Sequence, residues 1–269
     1  MQYPPAEYRG LQALRQAILE RESFLRHGGQ DQYISFSNVK SSDFRTIESR
    51  RFHLGRGIAF TYFEDIETLI IKVPTKVHEK AHASIANMTY HLVRSMGVGM
   101  YDFWPINAAR FRSSNSSSKE GDSAYQNQVL RPHDYDWPNF VIEAGYSENI
   151  PNLHMDARWW IENSGGQVLM VILILISPRT KTVLIEKWIP SPQQNIRRSP
   201  RFVSPGPSPI RAAEISIDQA SPTSVINGAP LVLEFDRIIG RPTQNPNERD
   251  VIFTQDDLDY WARGLWIGI

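Results

Sequence analysis

The sequence predicts an α/β protein with a mixed central sheet flanked by helices, and three observations carry that expectation. Residues 167–176 are almost purely aliphatic, too short and too β-branched for a membrane span, and read as a strand buried on both faces. Just before them, a short apolar run from Phe140 to Ile142 ends on Glu143, and an amphipathic segment then runs from Pro151 to Gly165-Gly166. Just after them, a Ser-Pro-Arg-Thr turn leads into the alternating run 182–188. The order is strand, helix, strand, hairpin, strand.

The bulk numbers suit a soluble globular fold. The chain has 269 residues, 41% apolar and 22% charged, enough to bury one large domain or one domain with a small appendage. Its 29 basic and 29 acidic residues cancel, so any surface that holds nucleic acid by counterion release must be local. Cysteine is absent, which excludes disulfides, thiol catalysis and Cys-ligated metal sites. The N-terminus has no signal pattern, and no run is long enough to span a membrane. The expected setting is therefore intracellular, cytoplasmic or nuclear, without a membrane partner. A homodimer is a further expectation. Three regions are expected: an N-terminal helix and polar arm (1–60), a core (61–190), and a linker with a strand-helix extension packed on the core (191–269).

Taken in order, residues 6–27 have helical periodicity after Pro4-Pro5 and stop at Gly28-Gly29. Residues 30–60 are polar and partly basic. Arg50, Arg51 and Arg56 stand there as candidate phosphate contacts, against the plainer reading of a solvated surface. Residues 67–73 read as a strand, and 76–96 as a helix opened by Pro74-Thr75 and closed by Gly97. Residues 101–111 suggest a strand pair, and the serine-rich stretch 113–121 reads as a mobile loop. The Pro- and Ser-rich segment 189–209 reads as an extended linker. Its Arg197, Arg198 and Arg201 are further candidate phosphate contacts. Strands at 213–217 and 231–235 and a helix at 254–266 close the chain.

The helix at 76–96 carries His78-Glu79-Lys80-Ala81-His82, the spacing at which zinc hydrolases place two histidine ligands and a glutamate base. No third-ligand signature follows downstream. The competing reading is a helix N-terminus whose polar residues face solvent or a cleft.

A wider pattern spans residues 67–188. It comprises a helix, Gly121-Asp122, the segment Pro138-Asn-Phe-Val-Ile-Glu143, Tyr146-Ser147, and a helix with Asp156-Ala-Arg158-Trp-Trp160. This order resembles the PD-(D/E)XK restriction-endonuclease-like proteins of bacteria and related fungal proteins. The resemblance implies a nuclease-like core and phosphodiester hydrolysis of nucleic acid with magnesium or manganese. It places metal on Asp122 and Glu143, with Glu79 as a third metal carboxylate. The family pattern has lysine two positions after the glutamate, where this chain has Gly145, and aspartate after proline, where it has Gly121. Arg158 is positioned to act as a displaced basic residue, stabilising charge but unable to serve as a base near neutral pH. Two alternatives stay open: a catalytically inactive module that binds nucleic acid or protein, and the zinc hydrolase of the His78–His82 helix.

Overall fold

In the computed structural model, the described residues, 4–107, 109–114, 116–146, 150–192 and 207–268, form two large mixed β-sheets and a small two-stranded antiparallel one, with helices packed against them. The first third of the chain runs β1 (Ala6–Glu7), α1 (Leu11–Arg26), β2 (Tyr33–Ser37), α2 (Ser41–Ser49), α3 (Arg51–Leu54), β3 (Ala59–Phe63), β4 (Thr68–Lys72) and α4 (Lys76–Ser95). A 3-10 turn at Tyr101–Phe103 follows, then β5 (Trp104–Pro105), β6 (Arg110–Arg112), β7 (Ser117–Glu120), β8 (Ser123–Gln126), β9 (Phe140–Tyr146) and α5 (Ile150–Asn163). The remainder is β10 (Met170–Ser177), β11 (Thr182–Pro190), β12 (Pro209–Asp218), β13 (Val225–Asn227), β14 (Leu231–Leu233), α6 (Phe235–Ile239), β15 (Val251–Phe253) and α7 (Gln255–Leu265).

The larger sheet has the order β13-β12-β11-β10-β9-β8-β5, with β9 and β10 parallel and the other pairs antiparallel. Its centre is β10, the aliphatic strand expected from the sequence. Met170, Ile172, Ile174 and Ile176 pack beneath α4, α6 and α7, while Val171 and Leu173 pack beneath α5. Each fully buried aliphatic side chain contributes roughly 1.5–3 kcal/mol, so this strand fixes the register of its neighbours. In β9, Phe140, Ile142 and Ala144 therefore face α4, which turns Glu143 toward α5. α7 docks on α4, where the Trp261 indole donates to Ser84 Oγ at 2.7 Å.

The smaller sheet has the order β1-β2-β4-β3-β7-β6 and corrects two expectations. Residues 30–60 are not a polar arm. Their alternating segments, YISFS and AFTYF, pair on either side of β4 and bury Ile34, Phe36 and Phe60 with Leu14, Ile18, Phe44 and Ile47. A boundary at 60/61 would cut through β3. The serine-rich stretch is not a loop from Ser117 onward: Ser117, Ser118, Lys119 and Glu120 form β7 and are all buried. Polar residues can occupy a core strand only when each is partnered. Here Ser117 Oγ accepts from the Trp159 indole at 2.9 Å, and Glu120 is held by Arg51 and Arg110.

Smaller departures follow the same logic. The first helix starts at Leu11, because residues 6–7 pair with β2 instead. Tyr101–Phe103 is a 3-10 turn, and the β5 and β6 strands that follow it join different sheets rather than each other. Among the described residues, no helix is long and apolar enough to cross a membrane.

Candidate functional site

β7 belongs to the smaller sheet and β8 to the larger, so the two-residue turn between them, Gly121-Asp122, crosses from one sheet to the other. Gly121 fits closely in that passage: a Cβ there would lie 3.1 Å from the Trp160 ring, tighter than an ordinary contact. Asp122 is then pinned to the larger sheet, its Oδ2 accepting from the Ala144 N–H at 2.8 Å. Glu143, one residue before Ala144, faces α5 and accepts from the Trp160 indole at 2.7 Å. The two carboxylates converge on one ammonium group. Lys72 Nζ, at the end of β4, lies 2.6 Å from Asp122 Oδ2 and 3.5 Å from Glu143 Oε2. Lys119 Nζ, in β7, lies 2.8 Å from Asp156 Oδ1 and 3.4 Å from Glu143 Oε1. The Tyr33 hydroxyl is buried beside this cluster.

The departure at Gly145 has a steric cause. A Cβ there would come within 2.8 Å of the Leu153 side chain on α5, so a lysine could be seated only if Leu153 moved. The basic groups reach the carboxylates from β4 and β7 instead.

Burial and pairing set the charges. Burial pushes the Glu143 carboxyl up, Lys119 and Lys72 oppose this, Asp122 adds to it, and the outcome is about 7. Burial also acts to raise Asp122, but Lys72 and His78 outweigh it and hold this carboxyl well below its usual range. Burial alone would lower both lysines. Their carboxylate partners reverse that, so Lys72 and Lys119 remain charged.

Of the other expected site residues, Arg158 is not part of this centre. Asp156 and Trp160, one helical turn apart on α5, point inward, whereas Arg158 points outward, is 68% exposed and pairs with Glu162 at 3.6 Å. Glu79 is separated from Asp122 by His78 and does not meet Glu143. Arg51 is not a free phosphate contact: its guanidinium grips Glu120 with two bonds of 2.7 Å. Arg50 and Arg56 are exposed. Arg197, Arg198 and Arg201 lie outside the described residues.

Beside Asp122, the N-terminus of α4 gathers a second group. Thr75 caps this helix by accepting from the His78 N–H. His78 Nε2 is 3.0 Å from Asp122 Oδ2, and its Nδ1 is 3.3 Å from Glu79 Oε1. His82 Nδ1 is 2.9 Å from Ser123 Oγ, and its Nε2 is 3.5 Å from Glu79 Oε2. Burial opposes ionisation of Glu79, but the hydrogen bonds from both imidazoles prevail and pull it down to about 2.

Sequence reasoning missed Lys72, Lys119, Asp156, Tyr33 and Trp160 as members of the centre. Lys72 had a signal: it is the one charge inside Thr68-Leu-Ile-Ile-Lys-Val73, where an apolar strand has no use for it.

No family model matches the chain, and no curated protein matches it. Among solved structures it is similar to a protein of Anabaena variabilis ATCC 29413 described as a putative nuclease belonging to DUF820. The identity is 12% and the TM-score 0.40, covering 76% of this chain and 90% of that one.

Proposed function

We propose that this protein hydrolyses phosphodiester bonds of nucleic acid at a hard divalent cation, magnesium or manganese, held by Asp122 and Glu143. One observation carries the reading: Lys72 Nζ stands between the two carboxylates, 2.6 Å from one and 3.5 Å from the other. Two carboxylates and a fixed ammonium within a few ångströms match the needs of the chemistry, oxygen ligands for the ion and positive charge for the phosphate. The donor set fits such an ion. Among the described residues, Glu143 Oε2, Asp156 Oδ2 and the Tyr33 hydroxyl are buried without a hydrogen-bond partner. The contact of Glu143 Oε2 with Lys72 is an ion pair without hydrogen-bond geometry.

When bound, the cation supplies activated water and stabilises the leaving oxygen. The chain's own residues do the rest. Asp156 replaces Glu79 as the third carboxylate of the proposed set. Lys72 keeps its proton and stabilises phosphate charge rather than acting as a base. Trp160 fixes the rotamer of Glu143. Kinship with the PD-(D/E)XK nucleases belongs to the same proposal, with the basic residue moved off Gly145 to the neighbouring strands.

A second reading, an inactive module of the same fold that binds nucleic acid or protein, is favoured by burial. The Lys72, Asp122, Lys119 and Glu143 side chains are each no more than 6% exposed, and both lysines are already matched to carboxylates. Manganese titrated into wild type, Asp122→Asn and Glu143→Gln separates the two readings. The hydrolase reading expects wild-type binding that both variants lose while remaining folded. It also expects magnesium- or manganese-dependent cleavage of DNA or RNA, lost in the same variants. No manganese binding by wild type would overturn it in favour of the inactive module.

A further inference from the structure

We propose that His78, Glu79 and His82 form a second metal site, for a nitrogen-preferring divalent transition metal such as zinc, with Asp122 and Ser123 orienting its two imidazoles. The site does not depend on phosphodiester cleavage and uses different ligands from the Asp122–Glu143 centre.

The geometry supports it first. One ligand atom from each residue lies within 4.8 Å of the other two. A metal bonded at about 2.0–2.2 Å to nitrogen and oxygen ligands in tetrahedral geometry holds those atoms about 3.3 Å apart. His78 Nδ1 is 3.3 Å from Glu79 Oε1, and His82 Nε2 is 3.5 Å from Glu79 Oε2. These two distances already lie near that spacing, and closing a three-ligand site requires the side chains to draw in from the 4.8 Å bound.

The surrounding bonds support it independently. A metal-binding imidazole usually donates its other ring N–H to a carboxylate, carbonyl or hydroxyl, which fixes its tautomer and orientation. Both histidines have that arrangement. His78 places Nε2 on the Asp122 carboxylate and turns Nδ1 to Glu79, and His82 places Nδ1 on Ser123 Oγ and turns Nε2 to Glu79. A metal would replace the protons through which these two nitrogens contact Glu79.

Exposure supplies the third support. Both imidazoles are buried, at 2% and 7%, whereas the Glu79 side chain is half exposed. A metal held here keeps one open side toward solvent, leaving positions for water or a small ligand. The arrangement differs from the zinc-hydrolase expectation. There the glutamate is a base acting beside the metal; here both Glu79 oxygens turn onto the two imidazoles, and the residue is a ligand.

Calorimetry with zinc and visible absorption with cobalt(II) test the proposal on the metal-stripped full chain. Wild type is expected to bind one equivalent of either metal, with cobalt bands of nitrogen coordination. His82→Ala and Glu79→Gln should abolish or severely weaken binding; Glu79 is half exposed, so its variant should retain the fold. Asp122→Asn and Ser123→Ala should weaken binding by about 10–100-fold, as loss of an orienting partner does. Glu143→Gln should bind zinc as wild type does, even if it has lost manganese. Zinc should also raise the melting temperature of wild type but not of Glu79→Gln. Wild-type affinity in both His82→Ala and Glu79→Gln, or no wild-type binding at micromolar zinc, would overturn the site. Manganese binding, governed by Glu143, stands or falls separately.

Discussion

β10 and β7 are both buried strands, and they are buried for opposite reasons. β10 reads MVILILIS and is held by apolar contact on both faces. β7 reads SSKE and is held through polar pairings: Ser117 with Trp159, Lys119 with Asp156, and Glu120 with Arg51 and Arg110. The hydrophobic effect is non-directional, so β10 tolerates small shifts among its neighbours. Buried charges tolerate none, because an unpaired one costs several kcal/mol. The first strand makes the core and the second fixes a geometry, and the candidate site lies beside the second.

Substitutions can sharpen that contrast. Lys119→Ala leaves Asp156 without its ammonium partner and Glu143 with Lys72 alone, and is expected to cost about 3–5 kcal/mol in urea unfolding. Lys119→Met with Asp156→Leu should recover most of that loss. If the single variant were as stable as wild type, β7 would not be held by its charges. Ile174→Ala in β10 is expected to cost about 2–5 kcal/mol, and no polar replacement elsewhere should rescue it.

Glu143 gives a pH test in metal-free protein. Its pKa rises on folding from 4.5 to about 7, so between those values the native state holds a proton that the unfolded chain has released. Stability should therefore fall as pH rises through that window, by at most about 1.4 kcal/mol per pH unit. Glu143→Gln should flatten this part of the profile. His78, whose pKa is also raised, gives a fall of the same sign at higher pH in both proteins, so the difference between them isolates Glu143. A wild-type slope that survives the substitution would place the titrating group elsewhere. The smallest effect belongs to Arg158→Ala, within about 0.5 kcal/mol and without change in metal binding, because the side chain only pairs across an exposed helical turn.

The same contrast explains what could be read from the sequence. β10, β11, α4 and α7 announce themselves by apolar periodicity, and Asp122 and Glu143 by their place in a longer pattern. β7 has no apolar period, so its residues look like a loop until the partners are known. Those partners are distant in sequence: Asp156 lies 37 residues from Lys119, and Arg51 lies 69 from Glu120. Gly145 shows the reverse. Its missing lysine was visible, but the packing of Leu153 against that position needed the helix in place.

The turn at Gly121-Asp122 also bears on the order of folding. It joins the two sheets, and the charge cluster around it draws residues from both, so the cluster closes only after each sheet has formed. Contacts that span so much chain are entropically slow to make. Loosening them should therefore speed unfolding and leave the folding rate nearly unchanged, with a φ-value near zero for Lys119→Ala. The seam would then act as a latch, setting how long the assembled molecule lasts rather than how fast it assembles.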